Sequence, residues 1–312
     1  STRSLCDDPG DCHAVETTWV PSAEVEKVVP GAIAGATVQL GMESLAALTD
    51  GAAVRAAVGG LVDAYGAWIT TQRAAVTSPP RHATVATTLL DSAEGVRQRV
   101  AAGLALLDDP EALRAFLVMN KVMARSARQR TPERYKAKGS EPSWFPFQLA
   151  FVLMNLRGVA EPSHPERRMV DLLFFPTGGG KTEAYLGLAA FTLPLRRRRH
   201  PGVSSAGVSV LMRYTLRLLT LDQLGRAATL ICALELERRG DPATWGTWPF
   251  EIGLWVGKGA TPNDMGEKGD GRDDTARAKA IAYKNDTKKP TPIPLETCPW
   301  CGTPFTAASF RL

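Results

Sequence analysis

Residues 176–182, Pro-Thr-Gly-Gly-Gly-Lys-Thr, are the stretch best equipped for chemistry. Gly178, Gly179 and Gly180 permit backbone torsions and close approaches that a side chain would block. Their N–H groups can converge on an anion. Lys181 adds a mobile positive charge, and the Thr182 hydroxyl can ligate Mg²⁺. A helix starting near Thr182 would aim its positive end at the same place. This is triphosphate chemistry, so ATP and Mg²⁺ are the expected cofactors. Thr177, Gly178, Gly179, Gly180, Lys181 and Thr182 are the expected binding residues, and Lys181 and Thr182 the catalytic ones. The general phosphate-loop pattern asks for glycine at position 175, where this chain has Phe175.

Such a loop needs a strand before it and a helix after it. Residues 170–175 form a short apolar run with one charge, as expected of a buried parallel strand. Residues 207–212 and 252–257 read as two further strands, and a long helix is expected between them to about Arg239. Strand–helix alternation with short connections predicts a right-handed parallel α/β sheet, with ligands beyond the C-terminal strand ends. Arg213, Tyr214, Thr215 and Arg217 would project there. Two guanidinium groups, a ring and a hydroxyl suit a DNA backbone.

Residues 23–130 read differently, as helices rich in Ala, Leu, Val and Glu. Gly59 and Gly60 are an expected interruption, and Pro79 with Pro80 a break. Asp109, Pro110 and Glu111 read as a cap, a first-turn proline and an acid favourable to the helix dipole. Residues 131–142 are polar and read as a linker. The expected division is a helical domain over 1–142 and a phosphate-loop domain over 143–312. The four arginines at 196–199 are expected to be a solvated loop, with phosphate-backbone contact as the alternative.

The composition is that of an ordinary globular protein. Of 312 residues, 44% are hydrophobic, and 37 basic side chains against 32 acidic ones give a net charge of +5. A pI near 9.0 tilts the reading only weakly towards a polyanionic partner. No apolar run approaches a membrane span, so a soluble, cytoplasmic protein without a membrane partner is expected. Five cysteines do not suggest a disulfide framework. Cys6, Cys12 and His13 fit no standard metal spacing. Cys298 and Cys301, in Cys-Pro-Trp-Cys-Gly, look like one zinc knuckle and supply two of the four ligands Zn²⁺ takes.

Several stretches carry a family resemblance. Residues 176–182 look like motif I of the superfamily 2 helicases. Gln148, in Trp-Phe-Pro-Phe-Gln, resembles their Q motif, whose amide would match the adenine edge. Residues 213–217 correspond to motif Ia, which grips the nucleic-acid strand. Residues 64–69, 115–120, 145–151, 174–183, 212–220 and 253–257 together resemble the helicase-like DrmA proteins of the DISARM anti-phage defence system, over most of 60–302. The resemblance implies a RecA-like first motor domain with a parallel sheet, incomplete here and preceded by an all-α domain. It also implies a DNA-dependent ATPase acting with a DrmB-like partner and associated with a DNA methyltransferase.

Helicases carry an Asp-Glu motif that organises Mg²⁺ and water, and no Asp-Glu dipeptide occurs in this sequence. The expectation is therefore a partial chain that does not turn over ATP alone. Three alternatives stand beside it: a DNA-recruitment module using the motor fold structurally, a related superfamily 2 repair helicase, and a small-molecule kinase.

Overall fold

The computed structural model describes residues 2–4, 15–17, 20, 22–24, 33, 35–76, 80–175, 179–214, 217–257 and 261–310. Cys6, Cys12, His13 and Pro79 lie outside the described residues. The helices are α1 (Met42–Ala46), α2 (Gly51–Val58), α3 (Gly60–Ala75), α4 (Pro80–Ala105), α5 (Pro110–Arg130), α6 (Pro146–Ala160), α7 (Lys181–Arg199), α8 (Arg217–Gly240), α9 (Pro242–Trp245) and α10 (Ala276–Asn285).

Local chemistry accounts for where most of them begin. Asp50 caps α2 by accepting from Ala53 N at 2.8 Å, and α2 gives way to α3 at Gly59. Asp109 accepts from Glu111 N at 2.9 Å, and Pro110 takes the first position of α5, where its missing N–H costs nothing. The apolar stripe of α5 includes Phe116, Met119, Val122 and Met123, all buried. Arg128 and Arg130 occupy its last turn, where they suit the negative end of the dipole.

Helix α5 packs against α1, α7 and α8, while α4 packs on α6. The α4–α6 crossing is close because Gly103 has no side chain. A Cβ there would sit 1.9 Å from the Leu153 carbonyl oxygen. One hydrophobic cluster takes in residues on both sides of position 143, from Met42 and Val54 through Phe116 and Trp144 to Phe191, Leu230 and Phe250. Trp144 is 1% exposed, and its indole N–H donates to Asn120 Oδ1 at 2.7 Å. Asn120 in turn donates to Phe116 O at 2.9 Å.

The expected RecA-like parallel sheet is not the architecture. Among the described residues the sheet is one short antiparallel pair, β1 (Thr2–Ser4) with β2 (Val15–Thr17). The rest of the architecture is helical. Residues 170–175, 207–212 and 252–257 belong to no strand. In the first, Val170, Leu172 and Phe174 are 85–96% exposed. The alternate positions face the helices: Asp171 pairs with Arg99 of α4 at 2.6 Å, Leu173 packs on the core, and the Phe175 ring stacks on Phe147 at 4.2 Å. A two-residue alternation is thus present without a ladder. Val208, Leu211 and Trp255 are also largely exposed. Near the second run, the carbonyls of Ala206 and Val208 accept from the Arg196 guanidinium at 2.8 and 3.2 Å. A strand exists only where another strand supplies its hydrogen bonds, and apolar runs alone do not create that partner.

The arginine run also departs from expectation. Helix α7 continues through Pro194, and all four arginines lie on it. Arg197 is 6% exposed. It donates to the carbonyls of Trp245 (2.9 Å), Trp248 and Pro249 (3.3 Å), with its guanidinium 4.4 Å above the Phe250 ring. Burial, and then the nearby Arg238 charge, pull its pKa below the usual value. Arg198 makes a two-pronged pair with Glu111 at 2.6 and 2.8 Å, and Arg199 bonds Asp109 at 2.5 Å. The run ties α7 to α5 and to the segment after α9.

Glu235 on α8 anchors the same region. It accepts from Arg238 at 2.6 and 2.8 Å, from Arg239 at 2.9 Å and from Phe250 N at 3.1 Å. The Arg238 bonds, chiefly, hold its carboxyl at about 2 against an ordinary 4.5. A carboxylate with a depressed folded pKa stabilises fully above its unfolded value. That contribution is lost as pH falls from 4.5 through about 2. Thermal unfolding across that window should show a steep acid loss in the native chain and a shallower one in Glu235→Gln. Parallel curves would refute this role.

Candidate nucleotide-binding site

The site begins where the chain turns into α7. Gly180 caps that helix with φ of +89°, in the left-handed region. A Cβ at Gly180 would also lie 2.6 Å from Gln148 Nε2, so a side chain there meets both strain and a collision. Lys181 and Thr182 are the first two residues of α7 and are half-buried. Lys181 Nζ donates to the Phe175 carbonyl, which bends the lysine back over the incoming segment. Gly179 lies just before the cap. Thr177 and Gly178 fall outside the described residues.

Gln148 sits beside the loop, on α6. Its Oε1 accepts from Phe145 N at 2.8 Å, and its Nε2 donates to Gly180 O at 2.7 Å. Both ends of the amide therefore hold protein, and the residue is 2% exposed. As placed, Gln148 caps α6 and braces the glycine turn. The neighbouring face belongs to Phe145, 41% exposed, with ring atoms 3.6 Å from the Gly180 Cβ position. Phe145, Phe147 and Phe175 form a ladder of stacked rings with centroid spacings of 6.0 and 4.2 Å.

Three charged residues outside the expected set converge on the first turn of α7. Glu183 Oε1 accepts from Arg130, the last residue of α5, at 3.3 Å, and contacts Arg226 of α8. Nothing in their spacing pairs Arg130 or Arg226 with Glu183. The one local signal is an acid directly after Lys181 and Thr182.

The expected DNA-contacting residues are less fully described. Arg213 is exposed and Tyr214 half-buried, ahead of α8. Burial, before any neighbouring charge, pushes the Tyr214 phenol above its ordinary pKa. Thr215 and the side chain of Arg217 lie outside the described residues.

Cys298 and Cys301 occupy a turn closed by Gly302 N to Cys298 O at 2.9 Å and by Cys298 N to Thr303 O at 2.9 Å. The turn is held against the bundle: Thr229 Oγ1 donates to Pro299 O at 2.9 Å, and Arg125 lies 5.4 Å over the Trp300 ring. Among the described residues no three His, Cys, Asp or Glu side chains could hold a metal ion together. Two thiols do not make a tetrahedral zinc site by themselves. Among the described residues no helix is long and apolar enough to cross a membrane.

These elements define a helical assembly that presents a glycine-rich turn, tipped by lysine, at a helix N-terminus. No protein-family model matches the chain. The chain is similar to DISARM protein DrmA of Bacillus paralicheniformis, with 39% identity over 221 residues. The match covers 66% of this chain and 19% of that protein, so the chain spans about a fifth of its relative's length. The resemblance to DrmA proteins drawn from the residues is borne out as a partial match.

Proposed function

We propose that this chain is the nucleotide-binding part of a DrmA-like component of an anti-phage defence complex, one that uses ATP to act on DNA as a helicase or translocase. The observation that carries the reading is the turn into α7: Gly180 in the left-handed region, then Lys181 and Thr182 opening a 19-residue helix. Backbone N–H groups and a helix N-terminus aimed at one point favour an anion, and the adjacent lysine favours a phosphate chain. The partial match to DrmA supports the same direction.

In this reading Gly178, Gly179 and Gly180 hold phosphate oxygens, with Thr177 beside them. Lys181 exchanges the Phe175 carbonyl for the outer phosphates. Thr182 supplies one oxygen ligand to Mg²⁺. Gln148 fixes the turn from behind, and Phe145 offers an exposed ring face to the base. Arg213, Tyr214, Thr215 and Arg217 contact the DNA backbone. The hydrolytic step needs a metal-organising acid supplied from outside these residues; a DrmB-like partner and an associated DNA methyltransferase act alongside the protein rather than in that step. Cys298 and Cys301 contribute two thiolates to a zinc site only with ligands from elsewhere.

Lys181→Ala should weaken binding of a fluorescent ATP analogue and, in the intact protein, abolish DNA-stimulated ATP hydrolysis. A charge-assisted lysine–phosphate contact contributes roughly 1.5–3 kcal/mol, so the affinity loss should exceed about tenfold. Unchanged binding and turnover would overturn the reading.

A further inference from the structure

Glu183 is the third residue of α7. Helical side chains tilt towards the N-terminus, and an acid at the third position reaches back towards the cap. Its carboxylate belongs to the first turn of α7, the turn that also carries Lys181 and Thr182. One oxygen of that carboxylate receives both guanidinium groups, Arg130 from α5 and Arg226 from α8. The three side chains are 27%, 21% and 26% exposed for Arg130, Glu183 and Arg226, so solvent only partly screens them.

Among the described residues, two cations share that one carboxylate oxygen. The donors are not exhausted, since Nε of Arg130 and Nε of Arg226 are both buried without a hydrogen-bond partner among the described residues. A guanidinium presents five N–H groups in a planar fork suited to phosphate oxygens. Orphaned buried donors cost stability, and an arriving anion would recover that cost.

We propose that Arg130 and Arg226 are terminal-phosphate cations held in reserve by Glu183, so that a bound nucleoside triphosphate draws them from the carboxylate while a diphosphate leaves them on it. This rests on the phosphate-loop reading of α7 and adds what senses the third phosphate. It also couples nucleotide state to helix packing, because the two arginines belong to α5 and α8, both packed on α7.

The test compares fluorescent ATP and ADP analogues binding to the intact protein. Arg226→Ala and Arg130→Ala should each weaken ATP binding about tenfold and leave ADP binding within about twofold. Glu183→Gln, close to isosteric, should tighten ATP binding several-fold by releasing both cations. A purely structural trio predicts the opposite for Glu183→Gln, no gain for either nucleotide, and equal losses for the arginine variants. Either of those results overturns the proposal. Native protein that binds neither nucleotide overturns the phosphate-loop reading and this proposal together. Native protein that binds both, with an ATP-to-ADP ratio unmoved in all three variants, overturns this proposal alone.

Discussion

Trp144→Ala should destabilise the protein by about 4 kcal/mol, the scale for emptying a buried aromatic site. The residue is 1% exposed and lies in the core between α5, α6 and α7. Its removal does two things. It opens a cavity beneath α7, where the ring now fills the space beside Gly187, whose Cβ would lie 2.8 Å from Trp144 Cη2. It also strips Asn120 Oδ1 of its donor, and Asn120 is fully buried. An orphaned buried acceptor costs roughly a further 1–3 kcal/mol where the structure does not relax. Trp144→Phe keeps much of the volume and loses the N–H, so it should fall between the two. Urea denaturation midpoints at constant slope would read this directly. A loss under about 1 kcal/mol for Trp144→Ala would show that the bundle does not rest on this contact.

Arg197→Leu should cost about 3 kcal/mol, the scale for removing one partner from a buried charged network. The carbonyls of Trp245, Trp248 and Pro249 would lose their common donor, and Phe250 its stacked cation. Arg196→Ala, at a half-buried position, should cost nearer 1 kcal/mol. Two readings of the arginine run separate cleanly here. If the run serves DNA, the Arg197 variant should weaken DNA binding with little change in the unfolding temperature. If it is an internal tie, as the hydrogen bonds indicate, the unfolding temperature should drop by several degrees. DNA affinity measured on the folded variant should then stay near native.

Much of the candidate site was legible in the chain. The helix starts where residue types pointed, at Lys181 directly after Gly180. Gln148 kept its place beside the loop, but its amide is engaged by Phe145 and Gly180, which no sequence spacing reveals. Arg130 and Arg226 were not legible at all. They join Glu183 from 53 and 43 residues away, and a lone arginine on a helix reads as a solvated charge.

What the sequence by itself determined is local. Helix hydrogen bonds close within four residues, so Asp109 with Pro110, Gly59 with Gly60, and Gly180 before Lys181 mark their boundaries without help from elsewhere. Only the tertiary structure decided what is non-local. Residues 170–175 have a strand's alternation, yet Asp171 meets Arg99 across 72 positions and, among the described residues, no strand lies beside them. Arg198 meets Glu111 across 87. A ladder or an ion pair needs its partner at one point in space, and the packing of α4 to α8 sets which partners meet. That packing made the arginine run internal, left the apolar runs unpaired, and drew two distant cations to the helix turn that carries Lys181.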